Sequence, residues 1–205
     1  MRVALSLLLV VLRAVIVYSQ EDELVPAPYL APQYTAASDA PASVVMTGAN
    51  EPGERLVVTG RVLDGAEPIA GASIFVFQTD AADRYAPGKS GNDAELDPRL
   101  RGLLRTDRQG QYRYETIRPG SYNGNAAHVH YVVKAAGYKA RLLDLWFEDD
   151  PILVARRAAG EPEIPAGIRN SSYYKASSDV VAIRPVARDA SGAWHATRDI
   201  RMFKR

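Results

Sequence analysis

The sequence predicts an all-β fold: an antiparallel β-sandwich with long loops and little helix. Short apolar or alternating segments recur along the 205-residue chain, turns rich in Gly, Asp and Pro separate them, and no segment has the period of a long amphipathic helix. A hydrophobic content of 47% is enough for a sizeable core. These observations predict one sandwich domain over residues 55–205, preceded by two segments of different character.

Residues 1–19 have the composition of an export signal peptide, because a basic start at Arg2 is followed by an apolar run. Cleavage would give a secreted or periplasmic chain that begins near Gln20, whereas a misassigned start would leave the protein in the cytoplasm. Arg13 interrupts the apolar run, which is too short to span a membrane. Residues 20–54 are rich in Ala, Pro and Ser and lack a helical or strand period, which predicts an extended surface arm.

The arm contains two tyrosines, Tyr29 and Tyr34, which we expect to anchor it. The predicted strands then follow at residues 55–63, 72–78, 111–116, 128–134, 142–147, 180–186 and 194–203. Residues 79–105 show no core pattern, and a loop of that length in a compact domain is usually functional or disordered. Residues 154–158 favour a short helical stretch.

The charge and the lack of cysteine exclude several classes of function. A formal net charge of +1 gives no electrostatic reason to expect nucleic acid or an acidic membrane as a partner. Without cysteine the chain has no disulfide, no thiolate nucleophile and no sulfur ligand for a metal. Any metal site must therefore use nitrogen and oxygen ligands.

His128 and His130 are two of only three histidines, and they stand two residues apart in a predicted strand. Side chains at i and i+2 of a strand point to the same face, so both imidazoles can reach one ion. Tyr122 follows a Pro-Gly turn six residues upstream and offers an oxygen ligand. The pattern alone leaves open whether this is a metal clip or an ordinary strand with two half-exposed histidines. The third histidine, His195, has no neighbour at metal-ligand spacing.

Tyr85, in the long loop, adds a second phenol to this set. Because the phenol pKa is about 10, a phenolate binds well only to a strongly polarising cation. Ferric iron is the natural candidate, since tyrosine ligates ferric iron in some haem proteins. Four protein ligands would leave one or two positions open for substrate, as a catalytic site requires.

A series of short motifs runs in order from residue 60 to residue 151. They are Gly60-Arg-Val-Leu-Asp64, Pro68-Ile-Ala-Gly-Ala72, Phe77-Gln78, Arg84-Tyr85, Asp97-Pro98, Gly102, Arg105-Thr-Asp107, Gly110-Gln-Tyr112, Thr116-Ile-Arg-Pro-Gly120, Tyr122, His128-Val-His130 and Trp146-Phe147 followed by Asp150-Pro151. Their order and spacing resemble the intradiol ring-cleavage dioxygenases, the family of protocatechuate 3,4-dioxygenase and catechol 1,2-dioxygenase. The six-residue step from Tyr122 to His128 is similar to the exported branch of that family.

The resemblance implies four ligands for one non-haem Fe(III) ion: Tyr85, Tyr122, His128 and His130. It implies that the substrates are a small aromatic diol and O2. The ring would open between its two hydroxylated carbons to give a cis,cis-muconate-type product. Tyr122 would also be catalytic, taking one catechol proton as it leaves the iron. A homo-oligomer is compatible with the sequence.

Two positions depart from the family pattern. Asn125 stands where an arginine usually precedes the first histidine by three residues, and we expect it to take that place in catalysis with a weaker, uncharged hydrogen bond. Asp144 stands near the place of a glutamine and would otherwise be a solvent-facing strand residue. Arg105 and Arg118 could supply the missing charge, although surface salt bridges are the commoner role of such residues.

Two alternatives stay open at this point. The first part of the motif series also resembles transthyretin-like and carboxypeptidase-regulatory-like β-sandwich modules, which bind or space without catalysis. Such modules would explain the strands and turns but not two tyrosines and two histidines in register. The other alternative is a silent subunit of a hetero-oligomeric dioxygenase, which the change to Asn125 would suit.

Overall fold

The computed structural model describes residues 24–89, 91–122, 124–171, 174–175, 177 and 179–205. The predicted signal peptide and its cleavage point near Gln20 lie outside these residues. Of the helices in the described ranges, none has the length and apolar character needed to cross a membrane.

Strands make up most of the regular structure. Their bounds are β1 Ser43–Val45, β2 Arg55–Asp64, β3 Glu67–Pro68, β4 Ser73–Gln78, β5 Leu100–Arg105, β6 Gln111–Ile117, β7 His128–Lys134, β8 Arg141–Phe147, β9 Val181–Arg184, β10 Ala187–Arg188, β11 Trp194–Thr197 and β12 Ile200–Arg201. The helices in the same ranges are short: α1 Gly91–Leu96, α2 Pro151–Ala158 and α3 Ala166–Arg169, with 3-10 turns at Ala27–Leu30 and Pro32–Tyr34. The prediction of an all-β fold with little helix is confirmed.

The strands form two sheets that pack face to face. One has seven strands in the order β1-β6-β2-β11-β10, with β3 and β12 also paired to β2, and the other has five in the order β5-β4-β7-β8-β9. The central pairs, β2 with β6 and β4 with β5 and β7, are antiparallel. Four pairings toward the margins, β1–β6, β2–β11, β2–β12 and β8–β9, are parallel. The sheets are therefore mixed at their edges, where returning segments add strands after a crossover.

The main core lies between the two sheets. Tyr112 and Tyr114 of β6 are buried on one face, as their alternation predicts, and the Tyr114 hydroxyl bonds the hydroxyl of Tyr131 from β7. The odd-numbered residues of β7 thus point into the core. Since successive side chains alternate, His128 and His130 point to the opposite, outer face of the five-stranded sheet.

A second apolar cluster covers that outer face. Tyr29 and Tyr34 of the N-terminal segment are buried there and pack against Phe75 and Phe77 of β4. The Tyr29 ring stacks on Phe77 with 5.6 Å between centroids, and Tyr34 lies 5.0 Å from Phe75. As a result β4 is buried along its whole length, on both faces. The sheet that bears the histidines is thus a middle layer rather than a surface.

The segment from residue 79 to residue 105 is more structured than its sequence predicts. It contains α1 and then β5, which pairs with β4 over six residues, so the loop ends at Arg99. β5 escaped prediction because it lacks alternation and includes Gly102. That glycine is required: a Cβ there would lie 2.9 Å from Cγ2 of Val44 in β1, a strand that the sequence also did not predict.

Candidate metal centre

The two histidines lie side by side on β7, at the centre of the five-stranded sheet. His130 is opposite Phe77 of β4 and Asp144 of β8. Its ring stacks on Phe77 at 4.9 Å, and the His128 ring stacks on Trp146 at 5.6 Å. Both histidines are buried, so neither is the half-exposed strand residue of the alternative interpretation.

Tyr122 reaches the histidines from a turn that closes on Asn125. The backbone N–H of Asn125 donates to the Tyr122 carbonyl at 2.9 Å. Upstream, Gly120 lies against the neighbouring loop, because a Cβ at this position would be 2.6 Å from the backbone nitrogen of Asp83. Gly120 is therefore required for this close approach, which holds the Tyr122 turn against the Tyr85 loop.

Tyr85 is placed by a loop that Asp80 organises. The Asp80 carboxylate accepts from the backbone N–H groups of Ala82 and Arg84 at 2.9 and 3.0 Å, and from the Arg84 guanidinium. The Asp80 carbonyl accepts from Gly120 N–H at 2.9 Å, which ties the Tyr85 loop to the Tyr122 turn. Asp80 is a positioning residue, and no motif or spacing in the sequence points to this role.

The four predicted residues converge. The Tyr85 hydroxyl lies 2.7 Å from the Tyr122 hydroxyl and 2.8 Å from His130 Nε2. The Tyr122 hydroxyl lies 3.0 Å from His128 Nε2 and 3.5 Å from His130 Nε2. The two Nε2 atoms are 3.0 Å apart. Four donor atoms from three separate segments therefore surround one point.

The four donor atoms have more close contacts with one another than they have hydrogens to place in them. His128 Nδ1 bonds the Ala126 carbonyl at 2.7 Å and His130 Nδ1 bonds Asp144 at 2.6 Å, so each Nδ1 carries a proton and each Nε2 presents a lone pair inward. The two phenols bring only two further hydrogens to the cluster. A positive charge at the centre, a proton or a metal ion, relieves the lone-pair contact between the Nε2 atoms. The donor set therefore fits a cation bound by two imidazoles and two phenolates.

Burial and the Asp144 carboxylate shift the pKa values of the four donors. Burial lowers the pKa of His128 to about 4, and the nearby His130 adds to this effect. At His130 burial also lowers the pKa, but attraction to Asp144 and their hydrogen bond outweigh it, and the pKa rises above its ordinary value. Burial raises the pKa of Tyr85 and Tyr122 far above the usual tyrosine range. Only a strongly polarising cation would hold these phenols as phenolates near neutral pH.

Phenols are essential to this centre. Over the described ranges, no three His, Asp or Glu side chains are grouped in a way that could hold a metal ion. Asp144, however, faces the centre and is not the solvent-facing residue of the alternative interpretation, since its carboxylate bonds His130. A carboxylate behind a ligating histidine fixes its orientation and raises its basicity.

The structure separates the other predicted residues from this cluster. The Arg105 guanidinium donates to the carbonyls of Ala36, Ala37 and Gly71, so it fastens the arm. Arg118 pairs with Asp149 through two contacts of 2.7 Å. Both guanidinium groups are engaged away from the four donors, so the suggestion that Arg105 or Arg118 supplies charge to the site is wrong.

Asn125 closes the Tyr122 turn, and Asp150 directly precedes α2. Asn125 is half-buried next to the Tyr122 turn. Asp150 caps α2 by accepting from Ile152 N–H, and it also accepts from Ala127 N–H at 3.0 Å, one residue before His128. In the sequence, an Asp-Pro pair directly before a helical stretch predicts such a cap.

The fold and the centre define a class: a two-sheet sandwich that gathers imidazoles and phenols on the covered face of one sheet. The family model described as Dioxygenase matches residues 25–161. A protocatechuate 3,4-dioxygenase beta chain from Burkholderia cepacia is 41% identical over 112 residues, 49% of this chain and 48% of the relative. A hydroxyquinol 1,2-dioxygenase from Rhizobium sp. is 29% identical over 130 residues, 54% of this chain and 43% of the relative.

Solved structures show the same fold. A 3-chlorocatechol 1,2-dioxygenase from Rhodococcus opacus has a TM-score of 0.60 at 20% identity, covering 82% of this chain and 69% of that one. The dioxygenase domain of a carbohydrate-binding fusion protein from Streptomyces sp. has a TM-score of 0.56 at 23% identity, covering 83% and 94%. The chain belongs to the intradiol ring-cleavage dioxygenase family, a family of oxidoreductases. It spans about half the length of the curated relatives described above. Family membership disfavours the non-catalytic sandwich module.

Proposed function

We propose that the protein is a non-haem Fe(III) dioxygenase that uses O2 to cleave a catechol-type ring between its two hydroxylated carbons, giving a cis,cis-muconate-type product. The observation that carries the proposal is the convergence of Tyr85, Tyr122, His128 and His130 on one point with both Nδ1 atoms engaged elsewhere. Ferric iron, when bound there, supplies a Lewis acid that binds the diol oxygens and orients the ring for reaction with O2.

The residues of the chain have distinct parts in this reaction. Asp144 and the Ala126 carbonyl hold the two imidazoles in the tautomer that presents Nε2. Tyr122 is half-buried whereas Tyr85 is buried, so Tyr122 is the phenol with room to move and to accept a catechol proton at its oxygen. Asn125, on the same turn, supplies a neutral hydrogen-bond donor toward the bound diol. The aromatic cluster of the arm keeps water from the face beside His130.

Metal content and turnover test the proposal. The purified protein is expected to contain one iron per chain, to have the burgundy colour of tyrosinate-to-iron charge transfer, and to take up O2 with at least one simple catechol. The variant His128→Ala/His130→Ala should lose iron and colour. His195→Ala is the matched control, because His195 is exposed and pairs with Asp189 on the surface. Iron retained undiminished in the double variant would contradict the ligand assignment, and colour without O2 uptake would indicate a silent subunit.

Localisation and assembly belong to the same proposal. We infer a mature chain of 205 − 19 = 186 residues, exported and beginning near Gln20. N-terminal sequencing of the protein from its natural source tests this, and a cytoplasmic chain that retains Met1 would refute it. Size-exclusion chromatography with light scattering would show whether the mature chain forms a homo-oligomer.

A further inference from the structure

Glu95, on the short helix α1, is an acidic residue beside the candidate centre. The arm fixes this helix over the outer face of the sheet: the Tyr29 hydroxyl donates to Glu95 Oε1 at 2.9 Å, and the Tyr34 hydroxyl donates to the Leu96 carbonyl at 2.6 Å. Ala94, the residue before Glu95, is buried in the second apolar cluster. The position of Glu95 is thus set by packing on one side and a hydrogen bond on the other.

A continuous aromatic stack connects this carboxylate to the metal ligands. Tyr29 stacks on Phe77, and Phe77 stacks on His130 with 4.9 Å between centroids. Phe77 also lies 6.2 Å from Tyr85. Glu95 is thus separated from His130 by the rings of Tyr29 and Phe77.

The charge of Glu95 is not cancelled by its hydrogen bond, because Tyr29 is a neutral donor. Arg105 is bonded to the arm and Arg118 to Asp149, and Arg156 donates to the Gly124 carbonyl on the Tyr122 turn rather than to Glu95. At the position of the family arginine the chain has Asn125, which is also neutral. Glu95 therefore adds a negative charge on the side of the centre where the arm covers His130.

We propose that Glu95 is a specificity-determining residue, which makes the centre select catechols with a cationic or uncharged ring substituent over catechols that carry a carboxylate. This inference rests on the proposed function in taking the four-donor cluster as the diol site. A carboxylate brought near Glu95 meets like-charge repulsion, whereas an ammonium group meets attraction. Protocatechuate, for which the Burkholderia relative is named, carries a carboxylate, so the inference separates this chain from that relative in its substrate.

Three catechols of nearly equal shape test the proposal: 3,4-dihydroxybenzoate, 4-methylcatechol and 3,4-dihydroxybenzylamine. Their dissociation constants are measured by calorimetry without O2 on the purified, full-length protein, so the readout does not depend on turnover. The amine is expected to bind most tightly and the carboxylate most weakly. In Glu95→Gln, which keeps an acceptor for Tyr29, the ratio of the carboxylate Kd to the amine Kd should fall about fivefold. A higher salt concentration should lower the same Kd ratio in the native protein, since salt screens partly exposed charges.

Asp93→Asn is the matched control, because it removes the same charge from the same helix at an exposed position. The ratio should stay unchanged in this variant. An equal ratio in the native and Glu95→Gln proteins, an equal fall in Asp93→Asn, or no binding of any of the three catechols would overturn the proposal. If the expected order is found but no catechol supports O2 uptake, the selection by Glu95 stands and the proposed dioxygenase activity fails.

Discussion

The two faces of the five-stranded sheet are both buried, but they are built in different ways. On the inner face, strands meet strands: Tyr131 from β7 and Leu143 and Leu145 from β8 pack against the seven-stranded sheet. On the outer face, the sheet meets an irregular arm and a loop, which supply Tyr29 and Tyr85. The inner face holds the main core between the two sheets, and the outer face holds the four proposed ligands. The irregular Tyr85 loop can bring a phenol to the histidines because no ladder of hydrogen bonds fixes its register.

Adjacent residues of β8 allow the comparison to be tested with minimal changes. Leu145 is fully buried on the inner face, and we expect Leu145→Ala to lower the free energy of unfolding by about 2–5 kcal/mol because it leaves a cavity between the sheets. Chemical denaturation measures this loss. The folded fraction should keep its iron and colour, because the outer face is unchanged. A variant that loses iron while its stability is native would show that the two faces are not independent.

Asp144, the preceding residue, points to the outer face and should respond in the opposite way. Asp144→Asn keeps the shape and an acceptor for His130 Nδ1 but removes the charge, and we expect iron affinity to fall about 10- to 100-fold. Competition with an iron chelator measures the affinity. Unfolding of the metal-free protein should change much less than in Leu145→Ala. An unaltered iron affinity would mean that the carboxylate behind His130 does not tune the centre.

The same contrast explains how much the sequence could predict. Alternation in β6 and the His-Val-His pair in β7 specify the strands, the inward tyrosines and the shared face of the two histidines, because period-2 patterns are local. The arm and the 79–99 loop have no such pattern, so the roles of Asp80 and Glu95 depend on contacts with residues distant in sequence. β5 and β1 were missed for a related reason: each is recognised by its fit against a neighbour, as Gly102 against Val44 shows. Tyr85 has no strand pattern around it; the sequence offers it as a second phenol in the long loop, and the family resemblance assigns it as a ligand.

The Tyr122 turn allows a gain-of-function test on the outer face. Asn125→Arg restores a cation where the family usually has one, and we expect kcat to rise about tenfold with little change in the iron spectrum, since the charge stabilises the transition state more than the bound substrate. A Cβ added at Gly124 would have no heavy atom within 4 Å, so the turn is open on the side of this neighbour. Asn125→Gln is the control for length without charge. Steady-state O2 uptake measures both, and equal rates in the arginine and glutamine variants would exclude a missing catalytic cation.

We expect the smallest effect at Asp80, which holds the Tyr85 loop in place but is not one of the four proposed ligands. Asp80→Asn keeps acceptors for Ala82 and Arg84 N–H but loses the charge pairs with the side chains of Arg84 and Arg99. Because Arg84 is 63% exposed, its pair with Asp80 should contribute only about 0.5–1 kcal/mol. We expect its loss to weaken iron binding a few-fold and to leave the packing between the two sheets unchanged.

Acid should remove the difference between the native and Asp80→Asn proteins. Burial raises the pKa of Asp80, but the hydrogen bonds from Arg84 and Ala82 outweigh it and hold the pKa below its ordinary value of 3.8. A carboxyl whose folded pKa is depressed stabilises the native state fully above its unfolded pKa, and that contribution is lost as the pH falls through the folded value. The native protein should therefore be more stable than Asp80→Asn near neutral pH, and the difference in stability should disappear below about pH 3.8. Metal-free protein is used, with tyrosine fluorescence as the probe of the Tyr85 loop. A difference that persists unchanged in acid would show that Asp80 acts through shape and not through charge.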